Sequence, residues 1–121
     1  MLFRSGKLIG HHDRSFRAFA LRELERLGAG AEPAIPDLVT SIQGRSLDAD
    51  GRSAIAILGR LGSKSRPAVI RIVFHLRKAR SDKATQNWAV ALEALSRIAP
   101  EDAGFRDQLN LALGEIGRAH V

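Results

Sequence analysis

Three stretches of the chain, Ala20–Gly28, Ala54–Gly62 and Ala91–Ala99, align with one another without gaps. Each carries an Ala at its start, a Leu in the middle and an aliphatic residue one place before its end. Taking Leu27, Leu61 and Ile98 as anchors, the copies are spaced by 34 and 37 residues. A self-similar period of this length constrains the fold more than any other feature. One such unit cannot bury its apolar side alone, so units must stack and share one interior. The register continues past each anchor. Eight, eleven, twelve and fifteen residues on stand Ile35, Leu38, Val39 and Ile42 in the first copy and Val69, Ile72, Val73 and Leu76 in the second. The third copy has Arg106, Leu109, Asn110 and Leu113, a degraded version in the same register. Spacings of three, one and three place such side chains on one stripe of an α-helix.

Each copy therefore reads as two helices. The first ends at Gly28, Gly62 or Ala99, and Gly suits the left-handed residue that terminates a helix. The second opens with Pro33 or Pro67, where a missing N–H costs nothing. In the third copy Pro100 breaks the chain, and Glu101 and Asp102 favour a following helix through its dipole. Helices are expected at about 14–28, 34–43, 51–62, 66–79, 83–99 and 103–117. Period-two alternation is absent, so no strand is expected. The short connections force neighbouring helices antiparallel.

The 121 residues amount to one domain, and 45% hydrophobic with 26% charged side chains describes a chain that folds and stays in solution. The expected organisation is a single domain over 1–121, with 1–12 as an N-terminal extension or cap and copies at about 13–47, 48–81 and 82–117. Cysteine is absent, which excludes disulfides, thiolate catalysis and Cys-ligated zinc together. Aromatic residues make up 5%, with no Tyr and one Trp, so the core must be aliphatic. No apolar run approaches the roughly 20 residues that span a bilayer. The first ten residues are too broken by charge and Gly for a signal-peptide core. The expectation is a cytoplasmic protein with no membrane partner.

The pattern resembles the HEAT-like repeats, particularly the short bacterial type. Their unit has an Asp, an Arg four residues on, spaced Ala and Leu ending in Leu-Gly, then Ala and Pro opening the second helix. This chain has Asp13, Arg17, Ala20, Leu24, Leu27-Gly28 and Pro33-Ala34, then Asp48, Arg52, Ala54, Leu58, Leu61-Gly62 and Pro67-Ala68. The third copy departs: Gln86 follows Asp82, Ile98-Ala99 replaces Leu-Gly, and Gly104 stands in place of Pro. The resemblance covers about residues 13–117. It implies an all-α, right-handed α-α superhelix of about three helix pairs, with the second helices lining a concave face. It says little about function, since the family serves mostly as binding scaffolds. Tetratricopeptide repeats share the 34-residue period, but their Tyr position has no counterpart in a chain without Tyr, and the ankyrin Thr-Pro-Leu-His signature is missing.

Charge is unevenly placed. The net charge is +6, but residues 52–83 hold nine basic side chains against Asp82 alone. Opposite the buried stripe, ten, fourteen and seventeen residues past each anchor, lie Asp37, Ser41 and Gly44, then Arg71, His75 and Lys78, then Gln108, Ala112 and Glu115. Only the middle trio is cationic. With Arg66 and Arg77 it forms a candidate partner-binding patch for an acidic peptide or a phosphate backbone. The plainer reading of the same residues is a solvated polar exterior. Arg26, Arg60 and Arg97 share one register position and read as helix-end cations facing terminal carbonyls. Arg17 and Arg52, each four residues after an Asp, read as staples between helices. Trp88 reads as a packing residue, with an interface role as the alternative.

Catalytic and metal signals are weak. His11-His12-Asp13 has no further ligand at helical spacing, and His75 and His120 stand alone. In Gly59–Ser65, Ser63 separates Gly62 from Lys64 and the segment follows a helix, so it is a turn between helices and not a phosphate loop. No acid/base pair or nucleophile set is recognisable. The chain is expected to be no enzyme and to hold no cofactor or metal. The last helix is apolar around most of its circumference, through Leu109, Leu111, Ala112, Leu113 and Ile116. Covering one such Leu contributes about 1.5–3 kcal/mol, so this end is a candidate for homodimerisation or docking. The leading expectation is a protein-interaction scaffold; the alternative is nucleic-acid binding through the basic patch of the middle copy.

Overall fold

The computed structural model describes residues 14–101. Five α-helices follow one another: α1 (Arg14–Leu27), α2 (Ile35–Ser41), α3 (Ala49–Arg60), α4 (Val69–Ser81) and α5 (Thr85–Ile98). Two 3₁₀ segments, Gly28–Ala34 and Gly62–Ala68, join α1 to α2 and α3 to α4. The fold of this region is all-α, and no strand occurs among the described residues. None of its helices is long and apolar enough to cross a membrane. The extension at 1–12, the motif His11-His12-Asp13 and the expected helix at 103–117 lie outside the described residues.

The helix boundaries follow from local chemistry. Gly28 (φ +56°) and Gly62 (φ +64°) adopt the left-handed conformation just past the ends of α1 and α3, as their position after the anchor Leu implies. The helix after each Gly begins later than the sequence suggests, at Ile35 and Val69. Pro33 and Pro67 sit inside the 3₁₀ segments, where a proline has no N–H to give to the α-helical ladder. Asp48 caps α3 through its side chain, which accepts from the Gly51 N–H at 2.8 Å. At the end of α4, the Ala84 N–H reaches the Ala79 carbonyl and the Lys83 N–H that of Arg80. This is a Schellman closure with Lys83, at φ +58°, where glycine is usual. α5 has no such Gly: Ala99 leaves the α conformation (φ −143°, ψ 65°) just before Pro100.

The core follows the predicted stripe, although Leu27, Val39, Leu61, Val69 and Val73 of that stripe are only partly buried. Ala20, Ala54 and Ala91 occupy equivalent positions and are fully buried, as are Leu24, Leu58 and Leu95 one turn later. Leu38, Ile42, Ile72 and Leu76 cover them from α2 and α4. Helix α3 packs against both α1 and α5, and α4 packs against α5. The α3–α5 crossing is close: a Cβ built on Gly59 would lie 2.9 Å from the Ala94 Cα. Only small residues at the crossing permit that approach.

Polar contacts join successive copies. Arg17 reaches Asp50 (3.4 Å), and Arg52 reaches the Asn87 Oδ1 (2.9 Å), where Asn87 is the register equivalent of Asp50. Asn87 in turn donates to the Leu47 carbonyl. The expected Arg17 and Arg52 staples thus join successive copies, whereas Asp48 is committed to its cap and does not hold Arg52. In the 3₁₀ segments Lys64 pairs with Glu32, and Arg66 pairs with Glu101. Glu32 and Arg66 share one register position, and Lys64 and Glu101 share the one two places before it, so the same bridge recurs with its charges exchanged.

Candidate interaction surface

The five residues that the sequence groups into a basic patch do different things. Arg71 does not project freely. Its guanidinium donates to the carbonyls of Ile42, Gln43 and Gly44, in the turn that follows α2. The same group lies 4.3 Å from the centroid of the Phe74 ring, a cation–π contact.

His75 departs from its expected place opposite the buried stripe: it is 2% exposed. Its Nε2 lies 2.6 Å from the Ile42 carbonyl oxygen, which can only accept, so Nε2 carries the proton. Burial pushes the imidazole below its ordinary pKa. The bond to Ile42 opposes that shift, and the nearby Arg71 and Lys78 charges add to it. Its burial has a simple cause. The turn after α2 lies within hydrogen-bonding reach of α4 at this level, and its carbonyls take their donors from Arg71 and His75. Ser41, the register equivalent of His75 in the first copy, turns inward to its own helix and donates to Leu38.

The remaining three cations lie at the surface. Arg66, in the 3₁₀ segment, is exposed and bridged to Glu101; Lys78 pairs with Asp82 one helical turn away at 2.9 Å. Arg77 is exposed and makes no hydrogen bond or ion pair among the described residues.

Sequence reasoning missed two residues on this face. Ile70 is 84% exposed and Phe74 36% exposed, both large apolar side chains in open positions. With Arg77 they fall four and three residues apart, on one face of α4. Phe74 is held in place: Arg71 covers one side of its ring and the His75 ring meets it edge-on at 5.3 Å. A signal was available, since the stripe Val69, Ile72, Val73 and Leu76 already accounts for the buried face. Ile70 and Phe74 are the apolar residues left over. On the first helix Phe16 and Phe19 are also about half exposed.

Arg26 and Arg97 pair with Glu23 and Glu93 one turn earlier, instead of with terminal carbonyls. Trp88 is half-buried against the core. Ser65, in the segment that superficially resembles a phosphate loop, is fully buried and donates to the Leu58 carbonyl, so its hydroxyl is already engaged. No group of His, Asp or Glu suited to a metal occurs among the described residues. The candidate end-interface residues Leu109, Leu111, Ala112 and Ile116 lie outside them. No family model, curated protein or solved structure matches the chain.

Proposed function

We propose that the chain is a HEAT-like repeat protein that works as a non-catalytic scaffold, presenting one face to another protein. In this reading α1, α3 and α5 are the first helices of successive pairs in a right-handed superhelix of about three pairs, and α4 faces the partner. The observation that carries it is the exposed Ile70–Phe74 ridge on a helix tied to its neighbour by Arg71 and His75. An apolar side chain 84% exposed gains nothing from the fold, so it is of use where something else covers it. The Lys64–Glu32 and Arg66–Glu101 bridges support the stacked architecture, because they join equivalent positions of successive copies.

Capture from a source lysate, with and without nuclease, tests the reading. The full chain should retain protein that resists nuclease, and Ile70→Asp should lose it. Retention that vanishes with nuclease, or that ignores Ile70→Asp, overturns the scaffold reading. The second reading, nucleic-acid binding, is favoured by the basic excess of residues 52–83. It requires steep weakening with salt and a flatter salt slope after charge reversal at Arg77 and Lys78.

A further inference from the structure

The apolar ridge and the cations around it define a partner by its chemistry. We propose that the face of α4 binds an acidic protein segment bearing an aliphatic or aromatic anchor, which covers Ile70 and Phe74 while its carboxylates meet Arg71 and Arg77. The inference rests on the scaffold reading and specifies its partner.

Two guanidiniums beside the ridge lack a carboxylate partner among the described residues. Among the described residues Arg71 is hydrogen-bonded to neutral carbonyls only, so no carboxylate compensates its positive charge, and Arg77 makes no hydrogen bond or ion pair. Lys78 and Arg66, by contrast, are already balanced by Asp82 and Glu101. The ridge is therefore flanked by two positive charges that no carboxylate of the described residues balances, Arg77 exposed and Arg71 held in place by its carbonyls, and they fit a short acidic segment. A second copy of the same face is disfavoured, because like charges would meet. A nucleic-acid strand fits less well, since Ile70 offers no stacking surface and the Phe74 ring is already occupied by Arg71 on one side.

Selection of random short peptides displayed on phage against the full chain tests the proposal. The recovered peptides are expected to be rich in Asp and Glu with one or two large apolar residues. As synthetic peptides they should bind at least about tenfold more weakly to Ile70→Asp and to Arg77→Glu, as the loss of one covered side chain or one charge-assisted contact implies. Both positions are exposed, so unchanged thermal melts of the two variants confirm that folding is intact. Recovery of basic or neutral peptides, no enrichment, or binding indifferent to Ile70→Asp overturns the proposal. So does tighter binding of a DNA oligonucleotide or of phosphatidylserine vesicles than of the selected peptides. If lysate capture depends on Ile70 and resists nuclease while the selected peptides are not acidic, the scaffold reading stands and only the partner chemistry fails.

Discussion

The imidazole of His75 stands 2.6 Å from the carbonyl oxygen of Ile42, thirty-three residues earlier in the chain, and has almost no exposure to solvent. This contact joins the middle of α4 to the end of α2. Its consequence is a pH dependence of stability. The folded pKa lies below the ordinary value of about 6.5, so the unfolded chain binds the proton more readily than the folded one. The contribution is intact above the unfolded pKa and is lost as pH falls from there through the folded value. Urea melts of the wild type should show stability falling over that window. His75→Gln, whose amide can still donate to Ile42, should fall less. Equal slopes for the two proteins would refute the assignment.

Gly59 is required by the crossing of α3 and α5. An alanine there gains up to about 1 kcal/mol of helix propensity. It also places a methyl 2.9 Å from the Ala94 Cα and 3.1 Å from its Cβ, and backbone cannot step aside as a side chain does. Overpacking of this kind costs about 1–3 kcal/mol, so Gly59→Ala should be destabilising on balance. At Gly51 the nearest atom to an added Cβ is the flexible Leu47 Cδ1, and Gly51→Ala should cost less. Paired chemical denaturation of the two variants checks the ranking.

The left-handed residues give predictions of opposite sign. Gly62→Ala should destabilise by about 1–2 kcal/mol, because its φ of +64° strains any residue with a Cβ. Lys83 bears that strain at φ +58°, so Lys83→Gly should stabilise by about 1 kcal/mol. Thermal melts of both variants decide the matter; a destabilised Lys83→Gly would mean that its side chain contributes more than the backbone costs.

The Arg52–Asn87 contact should couple energetically. A double-mutant cycle with Arg52→Ala and Asn87→Ala is expected to give about 0.5–1.5 kcal/mol of interaction, the range for one part-buried hydrogen bond. The Lys64–Glu32 bridge is more exposed on both sides and should couple by less than about 1 kcal/mol, falling with salt.

Most of the helical layout was legible because each decision was local. Leu24, Leu58 and Leu95 recur at one register, and so do Gly28 and Gly62, so the buried stripe and the helix ends could be read from spacing. The candidate surface was legible only in part. Register placed Arg71, His75 and Lys78 on one face, but periodicity measures direction from a helix axis and carries no information about what stands opposite. His75 was drawn inward because the end of α2 lies beside α4. Ile70 and Phe74 fall outside the stripe, but that they stay exposed depends on what packs beside α4, which spacing does not carry.

Within residues 14–101, the amino-acid order alone determined that the chain is helical, where its turns bend and which stripe is buried, since these depend on contacts within a few residues. Tertiary packing decided which cations are engaged and which apolar groups stay open. Those outcomes depend on pairs such as Arg71 with Ile42 and Arg52 with Asn87, brought together across about thirty residues of chain by helices that must share one interior.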